Sequence, residues 1–367
     1  MSNGPAGGLP PLAVADRLDA LRALLDDAGV DALLVTGTTN VRYLTGFTGS
    51  SGSLWVDGWR AVLITDGRYG DQAPAQVTGA GAEVDVEVVG SSDQSPITAL
   101  AEGTARIGLE ARSVTWSEQR RLASLLDGDP VATDGLVEGL REVKDDGEVA
   151  RIAAAAAIAD RALAEMRPAL VAGAVEADLA LALDHAMRAG GASDRAFETI
   201  VAGGPNSALP HARPGSRPLA DGDLVVCDFG AVVDGYRSDM TRSFRIGGRG
   251  SGREADLLSA VLEAQEAGLA LVADGVPLAE VDAACRTSMD AAGLGKAFSH
   301  GTGHGVGLDI HEGPAVSSTA TGTLRAGQVV TVEPGAYLSG FGGVRWEDTV
   351  LVTADGHRAL TRSPKDP

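Results

Sequence analysis

The sequence predicts two domains, an α/β domain over residues 1–138 and an α+β domain over residues 139–367 with a pseudo-twofold internal repeat. Three observations predict this. The chain has 367 residues, more than one ordinary domain of about 100–200 residues holds. Short apolar runs alternate with helical patterns in the first third, as in an α/β layer. Beyond it, helices come in blocks, and one nine-residue pattern occurs twice, as GDLVVCDFG at Gly222–Gly230 and GQVVTVEPG at Gly327–Gly335.

Residues 12–28 place Leu18, Leu21 and Leu25 at helical spacing. Asp31–Val35 and Ala61–Thr65 read as buried strands, with Gly46–Ser53 between them as a loop of small residues. Val84–Val89 and Ile107–Glu110 are further strands and Ser117–Leu126 a helix. Leu140–Gly147, charged and turn-rich, reads as the linker. Asp145 and Glu148 form a capping box that opens a helix through the alanines at 153–157. Pro168 stops that helix, and a second spans Glu176–Met187 before Gly190 and Gly191. Strand and turn follow to residue 246, then helices over 254–272 and 278–291, then strands from Gly301 to Leu351.

Composition narrows the function classes. Apolar residues make up 44% and charged residues 22%, the profile of an ordered globular chain. Fifty acidic and 30 basic residues give a charge of −20, which repels phosphate backbones and anionic membranes and removes both as partners. Cys227 and Cys285 are too few for a disulfide framework and indicate a reducing compartment, the cytoplasm. The N-terminus has neither the basic stretch nor the apolar core of a signal peptide. No run of about eighteen apolar residues spans a bilayer. Gly247–Gly252 (GGRGSG) lacks dinucleotide-loop spacing, Gly295-Lys296 lacks the Ser/Thr of a phosphate loop, and neither HExxH nor G-x-S-x-G occurs. Cys227 reads as a small buried residue.

Each copy of the repeat ends in an acid two residues before glycine, Asp228 and Glu333, and each is followed by a second acid behind an arginine, Asp239 and Glu347. The separations are 11 residues, from 228 to 239, and 14 residues, from 333 to 347. Acids at strand ends beside apolar runs need cations, since close like charges cannot all stay ionised. Arg237, Arg242 and Arg345 offer one solution, a salt-bridged structural cluster. Histidines point to another, for His211, His300, His304 and His311 share the span of the four acids. Glycines flank His304 and allow close backbone approach. Four carboxylates and one imidazole suit two hard or borderline divalent ions, such as Mn²⁺ or Co²⁺, and such a pair roughly 3.5–4 Å apart activates water at neutral pH.

These residues, with the NVRYLTGFTGS segment of the first domain, resemble the pita-bread metallopeptidases with a creatinase-like N-terminal domain, the Xaa-Pro aminopeptidases and Xaa-Pro dipeptidases. The resemblance spans nearly the whole chain, and its five-ligand signature is complete. It implies that Asp228 binds one metal, His304 and Glu333 the other, and that Asp239 and Glu347 bridge both. It implies two divalent ions, most simply Mn²⁺ with Co²⁺ or Zn²⁺ as alternatives, proline-containing peptides as substrates, and a homodimer. His211, in SALPHARP, matches a histidine at the scissile peptide, and His311 one that hydrogen-bonds substrate. Glu333 also takes the water proton and passes it to the leaving nitrogen. Tyr337 and Arg345 match supporting positions in EPGxY and GVRxED, and His300 forms a pocket wall. His185 and His357 read as structural or solvated. Dipeptidases of this kind carry an arginine between the second histidine and the EPG glutamate. Residues 312–324 contain no basic residue and Arg325 is the first, which leans the reading to an aminopeptidase. A dipeptidase is the alternative within the family, and a binding protein on a catalytically dead pita-bread fold the alternative outside it.

Overall fold

The structure is a computed structural model that describes residues 8–90, 93, 95–126, 128–248 and 250–366. The first seven residues of the N-terminal stretch, and Arg249 within the Gly247–Gly252 run, lie outside these. The chain divides into two compact units, Pro11–Arg141 and a second from Glu142 onward that includes the stretch ending at Pro10.

In the first unit, strands β1 (Ala32–Val35), β2 (Gly52–Asp57), β3 (Ala61–Asp66), β4 (Asp85–Val89), β5 (Arg106–Glu110) and β6 (Asp129–Thr133) form one mixed sheet in the order β4-β3-β2-β1-β5-β6. Helices α1 (Arg17–Leu25), α2 (Thr38–Thr45), α3 (Gln72–Ala80), α4 (Ser95–Ala101), α5 (Trp116–Ala123) and α6 (Leu136–Arg141) connect the strands. Leu34, Trp55, Ile107 and Leu122 anchor its core. The stretch expected as a small-residue loop, Gly46–Ser53, is corrected at its end. From Gly52 the chain is strand β2, because Leu54, Trp55 and Val56 bury completely between β1 and β3.

The second unit is built twice over. Helices α7 (Asp146–Met166) and α8 (Glu176–Ala189) precede β7 (Asp194–Arg195), β8 (Ile200–Gly203), β9 (Leu224–Phe229), β10 (Ala231–Val233), β11 (Tyr236–Arg237) and β12 (Met240–Arg245). Helices α9 (Arg253–Leu269) and α10 (Leu278–Ala291) precede β13 (Gly303–Gly305), β14 (Glu312–Val316), β15 (Val329–Val332), β16 (Gly335–Leu338), β17 (Gly342–Arg345), β18 (Asp348–Thr353) and β19 (Gly356–Ala359). Each half has its own helix-pair-on-sheet core: Ile158, Leu183, Val225 and Phe229 in one, and Val261, Val281, Val330 and Val350 in the other. The capping box at Asp145 and Glu148 is formed, and Pro168 lies in the 3-10 turn directly after α7.

The two halves carry matching hairpins. In the first, β9 pairs with β12 and β10 with β11 in one continuous register that sets Asp228 opposite Thr241. In the second, β15 pairs with β18 and β16 with β17, again in one register. One step beyond Val332↔Asp348, that register sets Glu333 opposite Glu347. The equivalence of Asp239 with Glu347, drawn from the arginine before each, is therefore shifted by two residues. By register, Thr241 is the counterpart of Glu347 and Asp239 the counterpart of Arg345.

Candidate active site

The acids sit at or next to the ends of the hairpin strands. Asp228 is the penultimate residue of β9, Asp239 directly precedes β12, Glu333 follows β15 and Glu347 precedes β18. His304 lies at the centre of β13 between Gly303 and Gly305. A Cβ on Gly303 would meet the Thr331 carbonyl at 2.0 Å, and one on Gly305 the Gly313 carbonyl at 2.0 Å. Strand crowding thus explains both glycines, which the sequence pattern linked to metal binding.

These side chains converge on a cavity of about 510 Å³. All four acids and His304 line it, with His211, His300, His311 and Arg345. Tyr337 does not line it but supports two residues that do. Of the three arginines of the salt-bridge alternative, only Arg345 meets one of the four acids, Asp228. Arg237 bonds the carbonyls of Leu308 and Ala196, and Arg242 pairs with Asp348 at 2.7 Å. A salt-bridged cluster therefore leaves three acids without an arginine. His185 and His357 are exposed; His357 lies on strand β19 instead of a terminal turn.

Hydrogen bonds orient the donors. His304 Nδ1 lies 3.0 Å from the Gly305 carbonyl; a carbonyl only accepts, so Nδ1 carries the proton and Nε2 faces the acids. Nε2 is 3.3 Å from Glu333 Oε1 and 3.6 Å from Asp239 Oδ2. Thr241, unmarked by any sequence motif, donates to Glu347 Oε2 at 2.7 Å and accepts from Arg345 Nε at 3.0 Å. Its one signal is its place opposite Asp228 in the hairpin. Arg345 also donates to the Tyr337 hydroxyl at 2.7 Å, and that hydroxyl is 3.0 Å from His300 Nε2. His300 Nδ1 is committed to the Gly301 carbonyl at 2.8 Å, so the tyrosine donates to Nε2 and the imidazole tautomer is set.

Burial pushes the Asp239 and Glu347 carboxyls well above their ordinary values, with the neighbouring acids adding to it. Burial also raises Asp228, against the pull of Arg345. At Glu333 burial acts in the same direction, but the hydrogen bond and charge of His304 outweigh it and hold the carboxyl below its ordinary value. Burial opposes a charged His304, yet Glu333 prevails and raises it. His300 and His311 are lowered by burial.

The residues fit a metal centre. Asp239, His304 and Glu347 each bring one ligand atom within 4.8 Å of the others. Among the described residues, Asp228 Oδ1 and Glu347 Oε1 are buried with no hydrogen-bond partner. Such acceptors are costly to bury alone, and a cation satisfies them where no donor does. Four carboxylates and one imidazole form an oxygen-rich set for hard or borderline divalent ions.

Residues 150–354 match metallopeptidase family M24, and residues 17–143 match the creatinase/prolidase N-terminal domain. The chain belongs to metallopeptidase family M24. A Bacillus subtilis protein described as an uncharacterized peptidase is 39% identical, over 95% of this chain and 99% of that one. The structure of an Xaa-Pro dipeptidase from Bacillus anthracis is 37% identical with TM-score 0.91, covering 96% of this chain and 98% of that one. An X-Pro aminopeptidase from Thermotoga maritima is 36% identical with TM-score 0.83, covering 92% and 97%. The pita-bread M24 fold and metallopeptidase class follow, and a catalytically dead binding protein finds no support in these matches. Among the described residues, no helix of this M24 protein is long and apolar enough to cross a membrane.

Proposed function

We propose that this M24 protein is an Xaa-Pro aminopeptidase that hydrolyses the bond between an N-terminal residue and a following proline. One observation carries the reading: four carboxylates, His304 and three further histidines converge on one cavity, in a chain similar along nearly its whole length to proline-specific peptidases.

Asp228, Asp239, His304, Glu333 and Glu347 would hold two divalent ions, with manganese favoured by the oxygen donors. When bound, the ions supply Lewis acidity and an activated water. Glu333 takes the proton of the attacking water and hands it to the leaving nitrogen; His304 keeps it ionised and ready to accept. His211 and His311 stand on the cavity wall to hydrogen-bond the scissile peptide and its developing charge. A prolyl nitrogen has no N–H to offer an extended-strand partner, so side chains do the recognising. Arg345 fixes Asp228 on the side that receives the free α-amine. The Arg345–Tyr337–His300 chain keeps His300 neutral and oriented as a wall.

The aminopeptidase reading over the dipeptidase one is supported by the segment after His311. It carries no basic residue to Arg325, which is paired with Glu142 at 2.7 Å. A homodimer and a cytoplasmic location belong to the same proposal, the latter resting on the absence of a disulfide framework. The test is hydrolysis of Ala-Pro-Ala and Ala-Pro by chelator-stripped protein, with and without Mn²⁺. Metal-dependent release of alanine from the tripeptide is expected. Cleavage of the dipeptide alone moves the reading to dipeptidase, and cleavage of neither by metal-loaded protein removes the proline specificity.

A further inference from the structure

We propose that Arg242, Asp348 and Lys365 are positioning residues for Glu347 and Glu333, forming with Gln265 a polar layer behind the two acids that fixes the backbone they extend from. This rests on the reading of both acids as metal ligands and deepens it.

Asp348 follows Glu347 as the first residue of β18. Successive side chains of a strand take opposite faces, and accordingly Glu347 lines the cavity whereas Asp348 does not. Behind the cavity, the buried Asp348 carboxylate meets four donors. Oδ1 accepts from Arg242 Nη2 at 2.7 Å and Thr361 Oγ1 at 3.0 Å. Oδ2 accepts from Gln265 Nε2 at 3.1 Å and lies 2.5 Å from Lys365 Nζ. Lys365 Nζ also donates to Gln265 Oε1 at 2.5 Å. Two cations thus share one carboxylate, and the layer opposes the charge of the acids in front of it.

The same side chains hold the backbone of the site. Arg242, fully buried, donates through Nη1 to the Thr241 carbonyl at 2.9 Å and the Glu347 carbonyl at 2.5 Å. It therefore pins both partners of the Thr241–Glu347 hydrogen bond. Gln265 Nε2 donates to the Val332 carbonyl at 3.3 Å, one residue before Glu333. An apolar filling of equal volume stabilises a core as well as a buried ion pair does, or better, but it offers these three carbonyls no donor. Orientation of the acids is what the polar layer adds.

The layer is closed by the segment after β19. Leu360 donates its N–H to the Thr349 carbonyl at 2.9 Å, which lays the segment beside β18. Asp160 on α7 accepts from the N–H groups of Arg362 and Ser363 at 3.0 and 2.7 Å. The Ser363 carbonyl accepts from Arg242 Nε at 3.0 Å and Nη2 at 2.8 Å. These contacts deliver Lys365 to Asp348.

The experiment compares wild type with Lys365→Met, which keeps the aliphatic stem and removes the charge, Lys365→Arg and Gln265→Met. Arg167→Ala, which breaks the exposed pair with Asp366 at 3.1 Å, is the control. Chelator competition reads Mn²⁺ affinity, amide hydrogen exchange of metal-free protein reads residues 344–349 and 329–334, and thermal melting reads stability. Lys365→Met is expected to weaken Mn²⁺ binding by about 10–100-fold and to quicken exchange at 344–349 while helix α8 is unchanged. At limiting Mn²⁺ its kcat for Ala-Pro-Ala falls with KM unchanged, and saturating Mn²⁺ restores it. Lys365→Arg recovers most of the affinity, Gln265→Met quickens exchange at 329–334, and Arg167→Ala matches wild type. A lower melting temperature in Lys365→Met and Gln265→Met with Mn²⁺ affinity and local exchange unchanged overturns the proposal and leaves the metal and peptidase readings intact. Wild type that binds no Mn²⁺, with exchange at 344–349 still dependent on Lys365, overturns the metal reading and keeps the backbone role.

Discussion

The two hairpins of the second unit share a register and differ in what they place on it. The second sets Glu333 opposite Glu347, two acids face to face. The first sets Asp228 opposite Thr241 and carries its other acid, Asp239, two residues nearer the turn. At the positions equivalent by register, Thr241 stands for Glu347 and Asp239 for Arg345. Each hairpin then supports the other. Thr241 of the first holds Glu347 of the second, and Arg345 of the second holds Asp228 of the first. The difference teaches that the symmetric scaffold positions the acids, whereas the departures from symmetry supply the hydroxyl and cation that let them be buried together.

The largest expected effect tests whether equivalent acids do equivalent work. Glu333→Ala should lower kcat by about 10³-fold or more, because it removes both a ligand and the proton carrier. Asp228→Ala should cost less at saturating metal; equal losses at saturating Mn²⁺ would erase the functional asymmetry. Thr241→Val comes next. It strips one hydroxyl that two buried groups share, so it should destabilise by about 1–3 kcal/mol in denaturant unfolding and weaken metal binding by about 10–100-fold in a chelator competition.

A pH titration of metal-free stability sharpens the same contrast. The folded pKa values of Asp239 and Glu347 lie well above their ordinary values of 3.8 and 4.5. The folded state then holds more protons than the unfolded one, so stability falls as pH rises above about 4 toward the folded values. His304, also raised, acts in the same direction near neutrality, while His300 and His311, both lowered, oppose it. Chelator-stripped protein should thus melt at a lower temperature at pH 8 than at pH 5. Saturating Mn²⁺ should flatten or reverse that slope, and an unchanged slope would remove the acids as its source. The smallest effect belongs to His185→Gln and His357→Gln, both exposed and outside the cavity lining. Each should shift stability by less than about 0.5 kcal/mol and leave Ala-Pro-Ala turnover unchanged.

Much of the site is legible in the amino-acid sequence. The repeat ending in Asp228 and Glu333 marks the two hairpins, because a strand that buries both faces shows as an apolar run and its terminating acid stands out. His304 stands out among its glycines for a simpler reason, since side chains larger than hydrogen do not fit there. Thr241 carries no such mark. Threonine is common in strands, and only the register places this one between Glu347 and Arg345. Helix α2 leaves no clear pattern because eight residues give little periodicity, although Val41 and Leu44 bury against the sheet.

From the sequence alone come the two-domain class, the acids and histidines of the site, and the capping box of α7, all matters of local chemistry and spacing. The tertiary structure alone decides which acid faces which residue, which arginine meets one of the four acids and which do not, and which carboxylates are driven above their ordinary pKa. These depend on contacts between residues about a hundred positions apart, and on burial, which no local pattern encodes.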